Sequence, residues 1–412
     1  MTDPLTPPTA PASPLPSPED VRRMLAGVMD PELHASIVDL GMVEAVRVDD
    51  DGLVTVTVAL TTAGCPLRHQ IKTDVQSKVD GLPGVTKVKV EYGEMTAEQK
   101  AKAMDRARFN ARENADATEV SATTRVIAVA SGKGGVGKSS VTVNLAAALA
   151  SRGLTVGILD ADIWGFSVPR MLGADGRLGG ADGKIHPNEV PVANLDPAGP
   201  AGLVKVVSMG FLVEDETSAL MWRGLVLTKA VEQFLKDVRW GDLDYLLIDM
   251  PPGTGDIQMG LARMLPQAEM LVVTTPALAA QKVAARVADM ARRSYMKVVG
   301  VVENMSEFVT PSGERFALFG EGGGQALASD IGAPLVASIP LEPAVSRGGD
   351  AGRPVALSDP ESPAGSAFHS LATRVVEDLL PPVEMSGCTA RILELAMTNL
   401  TASPGSSTPS NR

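Results

Sequence analysis

A glycine-rich segment between an apolar run and a helix-like run constrains this chain more than any other feature. Its letters, GKGGVGKS over 132–139, satisfy the pattern G-x-x-x-x-G-K-[ST]. Glycines let backbone N–H groups turn towards a phosphate, and the N-terminus of the following helix adds positive potential. Lys138 supplies a point charge, and Ser139 supplies a hydroxyl ligand for Mg²⁺. The segment therefore predicts a phosphate-binding loop between a strand and a helix.

Short apolar runs alternate with helical segments from residue 125 onward. The six runs predicted as strands are Val126–Ala130, Thr155–Leu159, Tyr245–Ile248, Leu271–Val273, Val298–Val302 and Leu335–Ile339. This alternation is typical of an α/β domain with a mostly parallel sheet and helices on both faces. We expect that domain over 125–382, with an irregular Gly/Pro-rich excursion over 173–202.

The rest of the chain predicts a smaller domain, a linker and two tails. Seven prolines among the first 18 residues favour a disordered, extended tail over 1–16. Residues 17–95 indicate a small α/β domain, with a helix from a Ser17 cap through Val28, strands at 53–58 and 85–90, and a helix over 66–79. Residues 96–124 are expected to be a helical and flexible linker, and 383–412 a largely disordered C-terminal tail.

Composition excludes several classes of protein. No apolar stretch approaches the roughly 20 residues that span a bilayer, and the N-terminus lacks the features of a secretory signal, so a cytoplasmic location is expected. A formal net charge of −12 gives no general attraction to nucleic acid or to anionic membranes, and neither is expected as a partner. Two cysteines, Cys65 and Cys388, are too few for a disulfide framework.

Three carboxylates and a second lysine complete the expected phosphate site. Asp160 and Asp162 follow one predicted strand and Asp249 ends another, so these side chains should lie at the carboxyl edge of the sheet. Asp249, ahead of the glycine-rich PPGTGD segment, suits a carboxylate that holds Mg²⁺ through water, although acids at strand ends are also common turn or cap residues. Lys133 would crowd Lys138 unless it points away. It is either a cation delivered to the phosphates of a second copy or a solvated surface lysine.

These segments together resemble Mrp/ApbC-type ATPases, a deviant-Walker-A branch of the P-loop NTPases related to MinD and to nitrogenase iron protein. The resemblance covers about 125–380 and is carried, in order, by SGKGGVGKSS, LDADIWGFSVP, SMGFL, MWRG, DYLLIDMPPGTGD, VVTTP, VENMS and FGEGGG. The N-terminal region resembles the small iron-sulfur-assembly domain often fused ahead of that ATPase, through Asp30-Pro31-Glu32 and TTAGCP over 61–66. The fold implied is a mostly parallel P-loop NTPase sheet preceded by a small α/β domain.

The resemblance implies a slow ATP hydrolase that uses Mg²⁺ and forms a nucleotide-dependent homodimer. It further implies a carrier that loads or transfers iron-sulfur clusters to apoprotein clients alongside other iron-sulfur assembly proteins. The alternative is a cluster-free switch of the MinD or ParA kind, in which ATP controls dimerisation and partner docking.

The resemblance also assigns roles residue by residue. Lys133, acting across the dimer, Lys138, and Asp162, which positions the attacking water, are implied to be catalytic. Ser139 and, through water, Asp249 are implied to hold Mg²⁺. Asn304 is implied to face the adenine. The residues implied to bind the nucleotide are Gly132, Lys133, Gly134, Gly135, Val136, Gly137, Lys138, Ser139, Ser140 and Asn304.

One departure from the family concerns the ligands of the cluster. Many members place Cys-x-x-Cys after the VENMS segment, whereas this chain has no cysteine between Phe308 and Arg315. Thr and Ser replace thiolate poorly on iron, so the usual cluster bridging two subunits lacks its ligands. Cys65 precedes a predicted helix whose dipole would stabilise a thiolate, and it remains a candidate for cluster or thiol exchange. Cys388 is expected to be a small apolar residue.

Overall fold

The structure is a computed structural model that describes residues 15–30, 35–60, 68–113, 117–162, 165–174, 176–212, 224–253, 255–294, 296–310 and 312–382. The chain divides into two compact units, the first within 1–117, 256–268 and 288–298 and the second within 118–255, 269–287 and 299–412. Cys65, Cys388, the predicted C-terminal tail and most of the predicted N-terminal tail lie outside the described residues. The domain limits taken from the sequence stay predictions.

A three-stranded sheet organises the N-terminal part of the first unit. Its elements are α1 (Pro18–Leu25), β1 (Val43–Val48), β2 (Leu53–Leu60), α2 (Arg68–Val79), β3 (Lys87–Glu94) and α3 (Ala97–Glu113). The central strand β2 pairs antiparallel with β1 and parallel with β3. Ser17 and Asp20 cap each other's backbone N–H at the start of α1, as the sequence predicts. The helix ends at Leu25, three residues before the predicted end, and β1 was not predicted.

Helix α3 lies in the first part of the span predicted as a helical and flexible linker. It begins with a reciprocal cap between Thr96 and Gln99. Ala103 and Ala107, one helical turn apart, are buried in the same core as the strands of the first unit. Farther along, the Thr124 hydroxyl donates to Leu243 O at 3.0 Å, within the second unit. Helix α3, in the first part of the predicted linker, therefore packs on the core of the first unit, because small alanines let one face of the helix approach it.

An eight-stranded sheet forms the second unit, in the order β15-β12-β11-β4-β10-β5-β9-β8. From residue 125 the strands are β4 (Arg125–Ser131), β5 (Thr155–Asp160), β6 (Gly179–Ala181), β7 (Lys184–His186), β8 (Asn188–Val192), β9 (Gly202–Ser208), β10 (Tyr245–Asp249), β11 (Glu269–Thr274), β12 (Lys297–Asn304), β13 (Phe308–Val309), β14 (Arg315–Phe316) and β15 (Leu335–Ile339). All six predicted strands are present. Strand β10 pairs in parallel with β4 and β5, whereas the edge strand β8 runs antiparallel to β9. The predicted α/β class with a mostly parallel sheet is confirmed.

Helices connect these strands. From residue 125 they are α4 (Lys138–Ala150), α5 (Val168–Leu172), α6 (Gly224–Asp237), α7 (Asp256–Met264), α8 (Leu278–Arg293), α9 (Gly323–Ile331), α10 (Pro343–Asp350), α11 (Val355–Ser358) and α12 (Pro363–Arg374), with a 3₁₀ turn at Met209–Leu212 and a π turn at Val375–Leu379. Strands β4, β5 and β10 are almost entirely buried, which explains their continuous apolar runs. Helix α4 is buried along nearly its whole length and contacts the sheet, α11 and α12. The segment ahead of α4 is therefore held by a rigid core.

The Gly/Pro-rich excursion is more regular than the sequence indicates. Strands β6 and β7 form a hairpin in which Ala181 pairs with Lys184. The two residues between them, Asp182 and Gly183, have φ values of 55° and 72°. An Asp-Gly pair with both φ positive is typical of a tight two-residue hairpin turn. The prediction of an irregular segment is therefore wrong over these strands. No helix in the described ranges is both long enough and apolar enough to cross a membrane.

Candidate functional site

The glycine-rich loop lies between the end of β4 and the start of α4, as predicted. Gly135 and Gly137 each have a φ of 79°, a conformation that side chains disfavour. A Cβ atom on Gly132 would lie 2.4 Å from the backbone N of Ala284 in α8, so that position has no room for a side chain. A cavity of about 400 Å³ opens above the loop and is lined also by Asp162. Its floor is the backbone of the loop together with the N-terminus of α4.

Hydrogen bonds fix the loop to neighbouring strands. Asn304 Nδ2, at the end of β12, donates to Val136 O at 2.9 Å. The Ser131 hydroxyl donates to Lys133 O at 3.1 Å, and Gly253 N donates to Ser131 O at 2.9 Å. Asn304 is 7% exposed, so its amide supports the loop from within the protein. Its predicted contact with adenine stays a prediction.

Lys138 and Asp249 form the centre of the site. Lys138 Nζ lies 2.7 Å from Asp249 Oδ1 and 3.6 Å from Asp162 Oδ2. The Lys138 side chain is 6% exposed and that of Asp249 is 0% exposed. The Ser139 hydroxyl donates to Asp249 Oδ2 at 2.6 Å, and the Thr142 hydroxyl lies 2.9 Å from Asp249 Oδ1. Both oxygens of the Asp249 carboxylate are thus occupied, and the buried ammonium is neutralised by carboxylates.

Asp160 lies beside this pair without touching the lysine. It is the register partner of Asp249 on the adjacent strand. Burial, together with the nearby charge of Asp249, raises the pKa of Asp160 to about 8. Its carboxyl group accepts hydrogen bonds from Asp162 N at 3.2 Å and from the Ser208 hydroxyl at 3.0 Å. The protonated form of Asp160 is therefore favoured more than in an ordinary aspartate, and its carboxyl group ties the start of the loop after β5 to the end of β9.

Asp162 lines the cavity, and 8% of the residue is exposed. Burial raises its pKa, while the charge of Lys138 acts in the opposite direction. A carboxylate with a raised pKa accepts a proton more readily than an ordinary aspartate. Asp162 thus combines contact with the central lysine and access to the space where a ligand would bind.

Lys133 differs from Lys138 in its surroundings. It lines the cavity but is exposed, and its ammonium group has no hydrogen bond or ion pair within the described part of the chain. Ser140 also lines the cavity and is half-buried. The two readings of Lys133 left open by the sequence, a cation for a second copy and a solvated lysine, are both compatible with this placement.

The structure brings together Lys138, Ser139, Asp162 and Asp249, and it adds two residues that the sequence did not single out. Thr142 follows Lys138 by one helical turn and therefore faces the same carboxylate. This four-residue spacing is visible in the sequence and could have identified Thr142. Ser208 ends β9, a strand that was not predicted, so no signal pointed to its bond with Asp160. Among the described residues, no group of three or more His, Cys, Asp or Glu side chains is arranged to hold a metal ion.

Comparisons with known proteins cover both units. Residues 122–376 match the family model of the NUBPL iron-transfer P-loop NTPase, and residues 18–91 match that of an iron-sulfur cluster assembly protein. An iron-sulfur cluster carrier protein of Mycobacterium tuberculosis is 45% identical over 359 residues, which cover 85% of this chain and 91% of the relative. A carrier protein of Synechocystis is 41% identical over 86% of this chain and 96% of its own length. A solved nucleotide-binding protein of Archaeoglobus fulgidus in complex with ADP is 36% identical, with a TM-score of 0.47 over 59% of this chain and 91% of that one.

Proposed function

The chain belongs to the family of NUBPL-type iron-transfer P-loop NTPases, and from this premise we propose that it is an ATP-driven carrier of iron-sulfur clusters. The observation that carries the proposal is the extent of the similarity. Proteins named iron-sulfur cluster carriers match 85% of the chain, including the N-terminal region as well as the P-loop unit. This extent favours the carrier over the MinD-like switch.

The glycine-lined cavity is suited to the phosphates of ATP. At Gly132, Gly135 and Gly137 a side chain would be excluded or strained, so the backbone lies open to the cavity there, and α4 directs its N-terminus at the same space. When ATP binds, the Lys138 ammonium would move partly from Asp249 to the phosphates. It would thus exchange one negatively charged partner for another.

The residues present also fit Mg²⁺. Ser139 Oγ and Asp249 Oδ2 lie 2.6 Å apart, so a hydroxyl ligand and a carboxylate that acts through water face one position. These two residues would hold the ion, which supplies positive charge to the phosphate oxygens when bound. Thr142 keeps the Asp249 carboxylate oriented from the other side.

We assign ATP hydrolysis to Asp162 and Lys133. Asp162 lies 3.6 Å from Lys138, so it would also lie near the phosphates that Lys138 binds. There it would orient the attacking water. Lys133 is exposed on the loop and would neutralise charge on the phosphates of a second copy in a nucleotide-dependent homodimer. Because both the water and the second copy must be in place before the reaction, we expect slow hydrolysis.

The cluster is the cargo of this cycle. The hairpin β13–β14 occupies the position where relatives of the Mrp/ApbC type carry cysteines, and here hydroxyl and backbone groups bond to each other at its turn. Thr310 Oγ1 lies 2.8 Å from Ser312 Oγ and accepts from Glu314 N at 3.1 Å. We therefore propose Cys65, within the region that matches the iron-sulfur cluster assembly model, as the thiol that handles the cluster. The clients are apoproteins in the cytoplasm, reached together with other iron-sulfur assembly proteins.

Anaerobic reconstitution tests the carrier role. The protein is loaded with iron and sulfide, desalted, analysed for both elements, and then mixed with an apo-ferredoxin. We expect retention and transfer of a cluster by the wild type and by Cys388→Ala, and loss of both in Cys65→Ala. A protein that hydrolyses ATP but never retains or transfers a cluster would refute the carrier role while leaving the ATPase intact.

A further inference from the structure

An open groove of about 1030 Å³ lies at the β8 edge of the large sheet, apart from the nucleotide cavity. Three residues with positively charged side chains, from three separate segments, line it together with His186: Arg177, Lys205 and Arg239. Within the described lining, Glu189 is the only carboxylate. These positive side chains contrast with the formal net charge of −12 of the whole chain and would attract a negatively charged ligand.

The backbone beneath the groove is fixed, and the Arg239 side chain stays exposed. Glu189 and Lys205 are register partners in the β8–β9 pair, yet Lys205 Nζ donates to Trp240 O at 2.8 Å. Arg239 N donates to Ile185 O at 2.8 Å, which joins the end of α6 to the β6–β7 hairpin. The Arg239 guanidinium is exposed and has no side-chain partner in the described part of the chain. The planar guanidinium of Arg239 can donate two parallel hydrogen bonds to one carboxylate, and its backbone is held in place.

We propose that this groove docks an acidic, extended peptide segment of a partner protein. The volume of the groove, about 1030 Å³, lies at the upper end of the range for small-molecule pockets, about 300–1,000 Å³, and is therefore more than one small anion needs. Pro191 in the edge strand β8 cannot donate a backbone hydrogen bond, which disfavours addition of a further strand and leaves side-chain charge as the means of recognition.

Other occupants of the groove fit less well. Among the described residues, the lining contains no Phe, Tyr or Trp side chain on which bases could stack. The chain's own terminal segments also lack a run of carboxylates. Residues 1–14 contain Asp3 as their one acidic residue, and 383–412 contain two glutamates balanced by two arginines.

The groove is joined to the nucleotide cavity by one short element. Ser167 and Met171, at either end of the first turn of α5, line the nucleotide cavity, whereas Gly173 and Ala174 directly after α5 line the groove. The five-residue helix α5 would therefore separate a docked segment from the nucleotide cavity that Asp162 lines.

Fluorescence anisotropy of the full-length protein tests the proposal. The probe is a fluorescein-labelled decapeptide of alternating Asp and Glu, and the neutral comparison is the same peptide in Asn and Gln. We expect saturable binding of the acidic peptide that weakens with added salt, and none of the neutral one. Arg239→Glu should weaken the binding roughly three- to tenfold, since each exposed charge contact contributes little. Lys205→Gln should weaken it in the same direction.

Arg286→Glu is the matched control, because Arg286 is an exposed arginine on α8 of the same unit and does not line the groove. It should leave peptide binding unchanged, with circular dichroism confirming that all variants are folded. The proposal is overturned if the acidic peptide does not bind, or if Arg239→Glu and Arg286→Glu weaken it equally. It is also overturned if an oligothymidylate of equal charge binds more tightly than the peptide and shows the same dependence on Arg239.

Discussion

Replacing Asp249 by asparagine removes one charge from the centre of the site without changing its shape. The Asp249 carboxylate pairs with Lys138 at 2.7 Å and is fully buried. Removing one partner of a buried ion pair typically costs about 3–5 kcal/mol, because the other charge stays buried. Two features place Asp249→Asn at the lower end of that range. Asp162 remains 3.6 Å from the ammonium, and Asp160, whose pKa the charge of Asp249 helps to raise, can ionise more easily.

Urea unfolding followed by circular dichroism measures this cost. Without nucleotide and Mg²⁺ at neutral pH, we expect Asp249→Asn to lower the free energy of unfolding by about 3 kcal/mol. The matched control is Glu232→Gln in the same unit, which breaks a partly exposed pair with Lys236 at 2.8 Å and should cost less than about 1 kcal/mol. Equal small losses in the two variants would refute the central role of the Lys138–Asp249 pair.

Adding ligands separates this pair from magnesium binding. In the wild type, ATP without Mg²⁺ must draw Lys138 away from Asp249, whereas in Asp249→Asn the ammonium is already free of it. We therefore expect ATP alone to stabilise Asp249→Asn at least as much as the wild type, and added Mg²⁺ to increase the stabilisation only in the wild type. A variant that still responds fully to Mg²⁺ would contradict the assignment of Asp249 to the ion.

Three further predictions concern the same site. Because the pKa of Asp160 is raised to about 8 in the folded chain from the ordinary value of 3.8, the folded state holds a proton that the unfolded state releases between these values. Stability should therefore fall as pH rises through this window, by up to about 1.4 kcal/mol per pH unit, and urea titrations should show a flatter profile for Asp160→Asn. Lys138→Ala should abolish ATP binding in calorimetry, whereas Lys133→Ala should keep binding and lose hydrolysis; loss of both in Lys133→Ala would contradict its action on a second copy. Gly132→Ala should lower the melting temperature and nucleotide affinity, whereas Gly134→Ala, whose Cβ would meet nothing within 4 Å, should leave the melting temperature unchanged.

Fixed spacing along the chain explains why much of the site is predictable from sequence. The loop over 132–139 is a contiguous motif, and parallel strands carry Asp160 and Asp249 to one sheet edge regardless of the length of chain between them. The apolar runs of β4, β5 and β10 are unambiguous because these strands are buried on both faces.

The unpredicted parts depend on contacts between distant segments. Ser208 bonds to Asp160 because β9 pairs with β5. The Gly/Pro-rich stretch ahead of β9 gave no indication that a strand follows it, so this pairing was not predicted. Asn304 donates a hydrogen bond to the backbone of Val136, 168 residues away in the chain. Nothing in the sequence around either residue predicts this contact. The apolar face of α3 consists of alanines, whose small size makes a packed helix hard to distinguish from a polar linker.

ATP-dependent transfer of an iron-sulfur cluster tests the central claim most directly. Reconstituted protein is mixed anaerobically with apo-ferredoxin, and the rate of cluster transfer is measured with and without ATP and Mg²⁺, for the wild type and for Asp162→Ala. We predict a transfer rate that changes with ATP in the wild type and does not change in Asp162→Ala. Equal rates with and without ATP in the wild type, from protein that hydrolyses ATP under the same conditions, would contradict it.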